Sequence, residues 1–290
     1  MFAAFVLVGA MNSMGPSHAS YPEEIRAWRA RRLAKLTSED GWLSVVGLFW
    51  LDEGDNTVGS DPESRIVLPA GKAPEKLGTV VLAGGRLSFR GQPGVKVAVD
   101  GEPAHAAALR SDAEGEPTIL STGSIRFYVI ERNGRYAVRV KDSSSEARRD
   151  FHGLSYFAID PAWRIEARFE PYDPPRPIAV PNVLGHVDAE KSPGALVFDY
   201  RGKSYRLDPV LEKNEADYFV IFGDRTNGTE TYGAGRFLYV SSPVDGKTVI
   251  DFNKAYNPPC VFTAYATCPL PPPQNKLPIR VEAGEKEYEH

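Results

Sequence analysis

The stretch SIRFYVIERNGRYAVRVKD, residues 124–142, decides the fold class of this chain. Two runs of aromatic and β-branched residues flank the dipeptide Asn133-Gly134. Both positions of such a dipeptide tolerate the positive φ angles that a two-residue hairpin turn requires. The stretch therefore predicts a β-hairpin, and it is the strongest hairpin signal of the chain.

Further apolar runs lie on both sides of this hairpin, separated by Gly, Pro, Asn and Asp. Before it they are RIVLP, GTVVLAGGRLSFRG and VKVAVDGEPA; after it they are IEARFE, PIAVP, ALVFDY, KSYRL, DYFVIFGD, GRFLYVSSP and TVIDFN. The dipeptides Arg201-Gly202 and Asp245-Gly246 indicate two more hairpins. The pattern predicts a mainly β protein, because short branched and aromatic runs broken by turn residues are typical of strands.

Four segments are predicted along the chain. They are an apolar start with the features of a signal segment (1–19), an N-terminal helix (20–42), a β-sandwich (43–164), and a second antiparallel β domain, a sandwich or partly open barrel, with a proline-rich C-terminal cover (165–290). The helix is indicated by Pro22 and by apolar residues at helical spacing, among them Ile25, Trp28 and Leu36.

The first residues leave two readings of localisation open. Phe2 to Met11 form an apolar run of signal-peptide length, and Ser17 to Ala19 form a small-x-small cleavage sequence. However, no Lys or Arg precedes Arg26, so the positive region of a signal peptide is missing. A signal peptide would make the protein periplasmic or secreted; otherwise it is cytoplasmic. The run is too short to span a bilayer, which takes about 20 apolar residues.

Composition and motifs exclude several classes of partner. The chain has 290 residues, a formal net charge of −4 and an isoelectric point near 5.8, so it lacks the basic surface expected of a nucleic-acid-binding protein. The sequence contains no phosphate loop, dinucleotide fingerprint, nucleophile elbow or His-Glu-x-x-His motif. We therefore predict no nucleic-acid partner, no cofactor and no metal.

The two cysteines, Cys260 and Cys268, lie close together in the C-terminal segment. In an exported protein they would form a disulfide that closes a small loop. In a cytoplasmic protein they would instead stay reduced and buried.

Arg236 is the first candidate for a ligand contact. It follows the glycines of TETYGAGRFLYV, which allow a close backbone approach and direct the side chain at the start of a strand. Its planar guanidinium binds carboxylates and similar anions through two hydrogen bonds. The alternative is a structural ion pair with Asp251 or Glu230.

The segment DFNKAYNPPC supplies further candidates. Strand alternation would project Asp251 and Asn253 to the same side, and Tyr256 and Asn257 then enter the extended turn Pro258-Pro259. Their polar groups suit a sugar or a carboxylate, although Asp and Asn also do ordinary work in turns. The proline-rich segment beyond them is predicted to be ordered, either as the wall of a binding site or as a strap over a sheet edge. Asn275, Glu282 and Glu285 would either tie this segment down or face the same cleft.

The blocks GAGRFLYV, DFNKAYNPPC, CPLPPPQNKL and EAGE, with the earlier GWLSVVGLFWLDEG, resemble the signature blocks of an uncharacterised bacterial family defined only as a domain of unknown function. The resemblance runs over nearly the whole chain from Tyr21. It implies no settled activity, and no catalytic residue is carried over from the family.

The N-terminal half also weakly resembles a forkhead-associated (FHA) sandwich. The matching residues are GSDP (59–62) before RIVLP, the turn VDG (99–101), and Gly123-Ser124 before the last hairpin. The Gly-Arg turn and the Ser-x-x-His stretch of phosphothreonine-reading FHA domains are not evident in this sequence. The resemblance therefore implies a fold and not the binding of a phosphopeptide.

Two functions of different class follow. In the first, the C-terminal β domain binds a small polar or anionic molecule through Arg236, Asp251, Asn253 and Tyr256. In the second, the same pocket is that of a hydrolase, with Asp251 as the base and Arg236 stabilising the developing charge. Because no motif requires chemistry, the sequence favours binding and leaves open whether the protein is an enzyme. A protein partner also stays open.

Overall fold

The computed structural model of the protein describes residues 19–212 and 215–289. Nearly all of the predicted signal segment, residues 1–19, lies outside these ranges. The described chain is mainly β with an N-terminal helix, as predicted. No described helix is both long enough and apolar enough to cross a membrane.

Helix α1 (Tyr21–Thr37) begins where the sequence predicts it. Glu23 accepts a hydrogen bond from the backbone N–H of Ser20 at 2.7 Å, and Pro22 lies in the first turn. Both features are typical of a helix N-terminus. The helix is shorter than the predicted segment 20–42, because the chain turns after Thr37 and forms a short 3-10 helix at Trp42–Ser44.

The N-terminal β unit has two sheets. Its strands are β1 (Val45–Trp50), β2 (Gly54–Gly59), β3 (Ile66–Val67), β4 (Gly78–Ala83), β5 (Arg86–Gly91), β6 (Ala98–Val99), β7 (Glu102–Pro103), β8 (Ala106–Leu109), β9 (Leu120–Thr122), β10 (Ile125–Arg132) and β11 (Arg135–Asp142). Within the described residues, one sheet has the order β1-β11-β10-β9-β6-β7 and the other β3-β2-β4-β5-β8. Helix α2 (Glu146–Arg149) follows.

The hairpin β10–β11 has the turn that the sequence predicts. Arg132 pairs with Arg135, and Asn133 and Gly134 between them have φ angles of 53° and 70°. Along β11, Val138 and Val140 point into the core between the two sheets. Strand alternation therefore turns the intervening Arg139 to the outer face of the sandwich, beside Trp42.

The C-terminal β unit contains the remaining strands. They are β12 (Arg164–Pro181), β13 (Val187–Tyr200), β14 (Lys203–Leu207), β15 (Tyr218–Phe222), β16 (Arg236–Val240) and β17 (Lys247–Asp251). In the described chain, β14-β13-β12-β17 form one antiparallel sheet and β15-β16 a second. Phe252 lies at the centre of their common core, where its ring contacts Phe198, Phe222 and Trp163.

The proline-rich C-terminal segment is an ordered cover over this unit. The backbone N–H of Leu270 donates to the carbonyl oxygen of Pro181 at 2.7 Å, and that of Leu277 donates to Gly223 at 2.8 Å. Asn275 is buried, and its side-chain amide donates to the carbonyl oxygens of Asp208 and Ile221. Side-chain amides thus hold a backbone that prolines keep out of regular sheet pairing.

Candidate functional site

Arg236, the first predicted ligand contact, is completely buried (0 % exposed). Its Nη2 lies 2.7 Å from Asp224 Oδ2 and donates to the carbonyl oxygen of Val281 at 2.8 Å, while Nη1 donates to that of Ala283. Burial lowers the pKa of Arg236, and the charge of Asp224 opposes that shift. The arginine therefore clamps β16 to the C-terminal cover. The internal ion pair expected as the alternative exists, with Asp224 rather than Asp251 or Glu230.

Asp251 and Asn253 lie together, as predicted, but in a 3-10 turn rather than along one strand. Strand β17 ends at Asp251, whose side chain accepts a hydrogen bond from the backbone N–H of Asn253. The hydroxyl of Tyr21 donates to Asp251 Oδ1 at 2.8 Å, and Asn253 Nδ2 donates to that hydroxyl at 2.9 Å. These two candidates hold the first residue of α1 against the C-terminal unit.

Asn257 also has internal partners. Its backbone N–H donates to Glu285 Oε2 at 2.8 Å, and its side-chain Nδ2 donates to the carbonyl oxygen of Lys286 at 2.7 Å. Glu285 is fully buried and forms an ion pair with Arg32 of α1 at 3.0 Å. Asn257 thus helps to fix Glu285, which ties the cover to the helix.

Glu282 lies apart from the other candidates, on the rim of a separate cavity of about 680 Å³. It is exposed and pairs with Arg280 at 2.9 Å. The stacked rings of Trp163 and Tyr200, with centroids 4.5 Å apart, line the same cavity.

Among the predicted ligand contacts, Tyr256 lines a cavity between the two β units. This cavity has a volume of about 640 Å³, and one face of helix α1 forms one of its walls. The α1 residues in that wall are Trp28, Arg31, Arg32, Lys35 and Leu36. The guanidinium of Arg32 lies 4.8 Å from the ring centre of Tyr256, a cation–π contact. We call this space the α1 cavity.

Arg139 is a buried arginine of the α1 cavity whose charge is not fully hydrogen-bonded. It lines the cavity although it is 4 % exposed, and its guanidinium lies 5.0 Å from the ring centre of Trp42. Its Nε and Nη2 atoms are shielded from solvent and have no hydrogen-bond partner in the described chain. These two nitrogens form one edge of the guanidinium, which is an edge that carboxylates and phosphates bind through two hydrogen bonds.

Carboxylates occupy another part of the α1 cavity. Asp188 and Glu190, two residues apart on β13, share one face of the strand, and Glu212 follows β14. Partial burial raises the pKa of Glu190, and the negative charges of Asp188 and Glu212 raise it further. The cavity therefore carries both signs of charge.

Cys260 and Cys268 are free thiols in this structure. The backbone N–H of Cys260 donates to Cys268 Sγ at 3.1 Å, and the Tyr232 hydroxyl lies 3.6 Å from Cys260 Sγ. Hydrogen bonding from Cys268 lowers the pKa of Cys260 to about 7, whereas the same contact and burial raise the pKa of Cys268. The disulfide expected of an exported chain is thus not formed here, and the cysteines are in the reduced form that was the alternative.

The described residues contain no group of three or more His, Cys, Asp or Glu side chains arranged to hold a metal ion.

A family model and a solved structure match this chain. The model described as Protein of unknown function (DUF1684) matches residues 149–286. An uncharacterised protein of Haloarcula marismortui, known from a solution NMR structure, is 34 % identical; the match covers 48 % of this chain and 78 % of that one, with a TM-score of 0.40. The chain belongs to the DUF1684 family. The family match includes the blocks around Arg236 and Asp251 that carry the resemblance seen in the sequence.

FHA domains are also among the similar solved structures. The FHA-2 domain of a Mycobacterium tuberculosis ABC transporter is 16 % identical, covering 48 % of this chain and 96 % of that one, with a TM-score of 0.24. The FhaA FHA domain, solved with the intracellular domain of Rv3910, is 14 % identical, covering 32 % and 97 %, with a TM-score of 0.22. Such low scores support no conclusion about ligand or partner. None of the curated proteins matches this DUF1684 member.

Sequence reasoning missed Arg139, Glu190 and Glu212. Arg139 alternates with Val138 and Val140, which predicts an outward-facing side chain but not the cover above it. Asp188 and Glu190 show the same spacing on β13. The charge of helix α1 is a signal that the sequence does contain, but the default reading of such a cluster is a solvated helix face.

Proposed function

We propose that this protein binds a small anionic molecule in the α1 cavity, with Arg139 as the anchor of the anionic group. The observation that carries the proposal is the shielded Nε–Nη2 edge of Arg139, which has no partner in the described chain. An unpaired buried charge costs several kcal/mol, because the low-dielectric surroundings do not replace its hydration. A ligand that supplies the missing partner would remove this cost.

The surroundings of Arg139 suit this role. The ring of Trp42 compensates part of the lost hydration through a cation–π contact. Arg139 lines the cavity, so its side chain is in a position to meet an anion there. Arg31 and Lys35 of α1 are exposed at the same cavity and would attract an anion from solution.

The cavity differs in position from the site expected in the C-terminal domain alone. It lies between that domain, helix α1 and strand β11, and Tyr256 is the residue common to both versions of the site. The alternative of a hydrolase with Asp251 as base and Arg236 as clamp has no support from geometry. Arg236 is bonded to Asp224 and Asp251 to Tyr21, and neither residue lines either of the two cavities described above.

The proposal is tested by thermal unfolding of the full chain with matched anionic and neutral compounds. Phosphate, caproate and phenylpropanoate are compared with the uncharged amides of the two carboxylates. At ten times its Kd a ligand stabilises the native state by about 1.4 kcal/mol, provided that the unfolded chain does not bind it. This corresponds to a rise in the unfolding midpoint of roughly 3 °C for a chain of this size.

Arg139→Met and Arg135→Met are the paired variants. Arg135 lies on the same strand and also stacks on a tryptophan, Trp50, but it is exposed. We expect at least one anion to stabilise the wild type and Arg135→Met and to leave Arg139→Met unaffected. Equal stabilisation of Arg139→Met by the same anion would overturn the proposal.

A further inference from the structure

The carboxylates of the α1 cavity lack a counter-charge among the described residues. None of Asp188, Glu190 and Glu212 forms an ion pair there. Asp188 accepts a hydrogen bond from Asn182 Nδ2 at 3.0 Å, and Glu212 accepts one from the hydroxyl of Tyr239 at 2.5 Å. These neutral donors stabilise the carboxylates without cancelling their negative charge.

Arg132 is the arginine of the α1 cavity that would be expected to neutralise these carboxylates. It lines the cavity together with Glu190 and Glu212, but its Nη2 pairs with Asp112 Oδ2 at 2.9 Å and Nη1 also donates to Asp112. Arg32 is likewise engaged, by Glu285. Two cavity arginines are therefore neutralised by other carboxylates, while the three cavity carboxylates and Arg139 form no ion pair in the described chain.

Mutual repulsion makes the carboxylate wall more favourable to a cation than a single carboxylate would be. Partial burial and the charges of Asp188 and Glu212 raise the pKa of Glu190, so its ionised form is disfavoured in the empty cavity. A cationic nitrogen close to Glu190 would relieve this repulsion. An anion site requires only Arg139 and does not require the three carboxylates. The carboxylates would be accounted for if the ligand also carried a positive charge.

Aromatic side chains of the same cavity suit the section of a ligand that joins two charged ends. The rings of Tyr239 and Tyr256 are nearly parallel, with an interplanar angle of 13° and centroids 6.3 Å apart. Phe219 and Phe237 pack against them and also line the cavity. Aromatic faces bind apolar groups and attract cationic nitrogens.

We infer that the ligand of the α1 cavity is a zwitterion, with its anionic group at Arg139, a cationic nitrogen at Glu190, Asp188 and Glu212, and an apolar section against the tyrosine rings. This inference rests on the proposed function, since it assigns the other end of the same ligand. A cavity of about 640 Å³ lies within the range of small-molecule sites and accommodates a ligand of dipeptide size.

The test uses pairs of compounds that differ only in the cationic nitrogen. ε-Aminocaproate is compared with caproate, and glycylphenylalanine with N-acetylglycylphenylalanine, so that two separations between the charges are covered. Affinities are measured by calorimetry on the full chain. We expect the amine-bearing member of at least one pair to bind about tenfold more tightly than its partner, because a charge-assisted hydrogen bond in a partly buried site has about that effect.

Two carboxamide variants identify the group that recognises the nitrogen. Glu190→Gln keeps the shape of the side chain and removes its charge, and we expect it to abolish the tenfold preference. Glu102→Gln, an exposed glutamate on β7 of the other β unit, is the control and should keep the preference. Arg139→Met should weaken both members of a pair by the same factor.

The outcomes separate the two proposals. If both members of every pair bind equally and Arg139→Met abolishes that binding, the anion site stands and the zwitterion is wrong. A preference that survives in both Glu190→Gln and Glu212→Gln also overturns the zwitterion. If no compound of either kind binds at about 10 mM, where even a Kd of about 1 mM is detected, both proposals fail.

Discussion

Arg236 and Arg139 are both buried arginines, yet of the two only Arg236 has an ion-pair partner in the described chain. Arg236 is 0 % exposed and bonds to Asp224 and to carbonyl oxygens of the cover. Arg139 is 4 % exposed and has two nitrogens without any partner in the described chain. Burial alone therefore does not separate a structural charge from a functional one. The two kinds of charge are distinguished by the hydrogen bonds that the charged group makes and by whether a cavity lies beside it.

The largest effect is expected at Arg236, the arginine with an ion-pair partner. Arg236→Met would leave Asp224 buried without a counter-ion and free three carbonyl oxygens of the cover. Loss of one partner of a buried pair lowers the free energy of unfolding by about 3–5 kcal/mol. Urea denaturation followed by tryptophan fluorescence measures the change. Arg225→Met, at an exposed arginine beside Asp224, should change it by less than about 0.5 kcal/mol. Similar values for both variants would show that the clamp is not structural.

Glu285 connects the C-terminal cover to helix α1 at the cavity. Removing its charge should lower the free energy of unfolding by an intermediate amount. Glu285→Gln would weaken the hydrogen bonds to Arg32 and to the backbone N–H of Asn257, lowering the free energy of unfolding by about 2 kcal/mol. The same denaturation experiment measures it. Glu287→Gln, exposed and two residues further along, is the matched control. A loss as small as that of the control would assign the stability of the cover to backbone hydrogen bonds alone.

Arg139, which has no ion-pair partner in the described chain, should behave in the opposite way. Arg139→Met removes a buried charge that has no partner and keeps an apolar side chain beside Trp42. In the absence of ligand, we expect the free energy of unfolding to be unchanged or to increase by about 1 kcal/mol, since uncompensated charges destabilise the native state. A loss of more than about 2 kcal/mol would contradict the comparison with Arg236, because it would give both arginines the same structural role.

The smallest effect is expected at Glu190, and it depends on pH. The folded state raises the pKa of this carboxyl above its usual value of 4.5. Its contribution to stability is therefore most favourable below pH 4.5 and is lost as the pH rises through the folded pKa. Glu190→Gln should thus increase the free energy of unfolding at pH 7, by less than about 1 kcal/mol because the group is partly exposed.

Denaturation of wild type and Glu190→Gln at a series of pH values checks this dependence. The two curves should coincide in acid and separate toward neutral pH, whereas Glu102→Gln should follow the wild type throughout. Lower stability of Glu190→Gln than of the wild type at neutral pH would contradict this prediction, because it would mean that the ionised carboxylate has an unrecognised positive partner.

Local features of the fold could be predicted from the sequence because they depend on neighbouring residues. The turn at Asn133-Gly134 requires two positive φ angles, and these residue types supply them. The start of α1 depends on Pro22 and Glu23. The order of the proline-rich segment was also predictable in kind, since prolines lose little chain entropy when they are ordered.

The site could be predicted only in part, because its partners are distant in the sequence. The glycines before Arg236 correctly indicated a close backbone approach, for a Cβ on Gly235 would lie 2.6 Å from the carbonyl oxygen of Phe222. The sequence could not show that the guanidinium turns inward to Asp224. Arg139 presents the reverse problem: alternation turns it outward, and only the assembled fold reveals that it is buried beside Trp42, in a cavity that the C-terminal segment also lines.

The α1 cavity is lined by residues inside and outside the region that the DUF1684 family model matches. The region matched by the DUF1684 family, residues 149–286, contains Arg236, Tyr256 and all three carboxylates of the cavity. Helix α1 and Arg139 lie before it. A protein that shared only the matched region would keep the clamp and one half of the cavity but would lack the anchor for the anion. Under the proposed function, the choice of anion would depend on the N-terminal half, whereas the arginine that holds the C-terminal cover lies within the matched region.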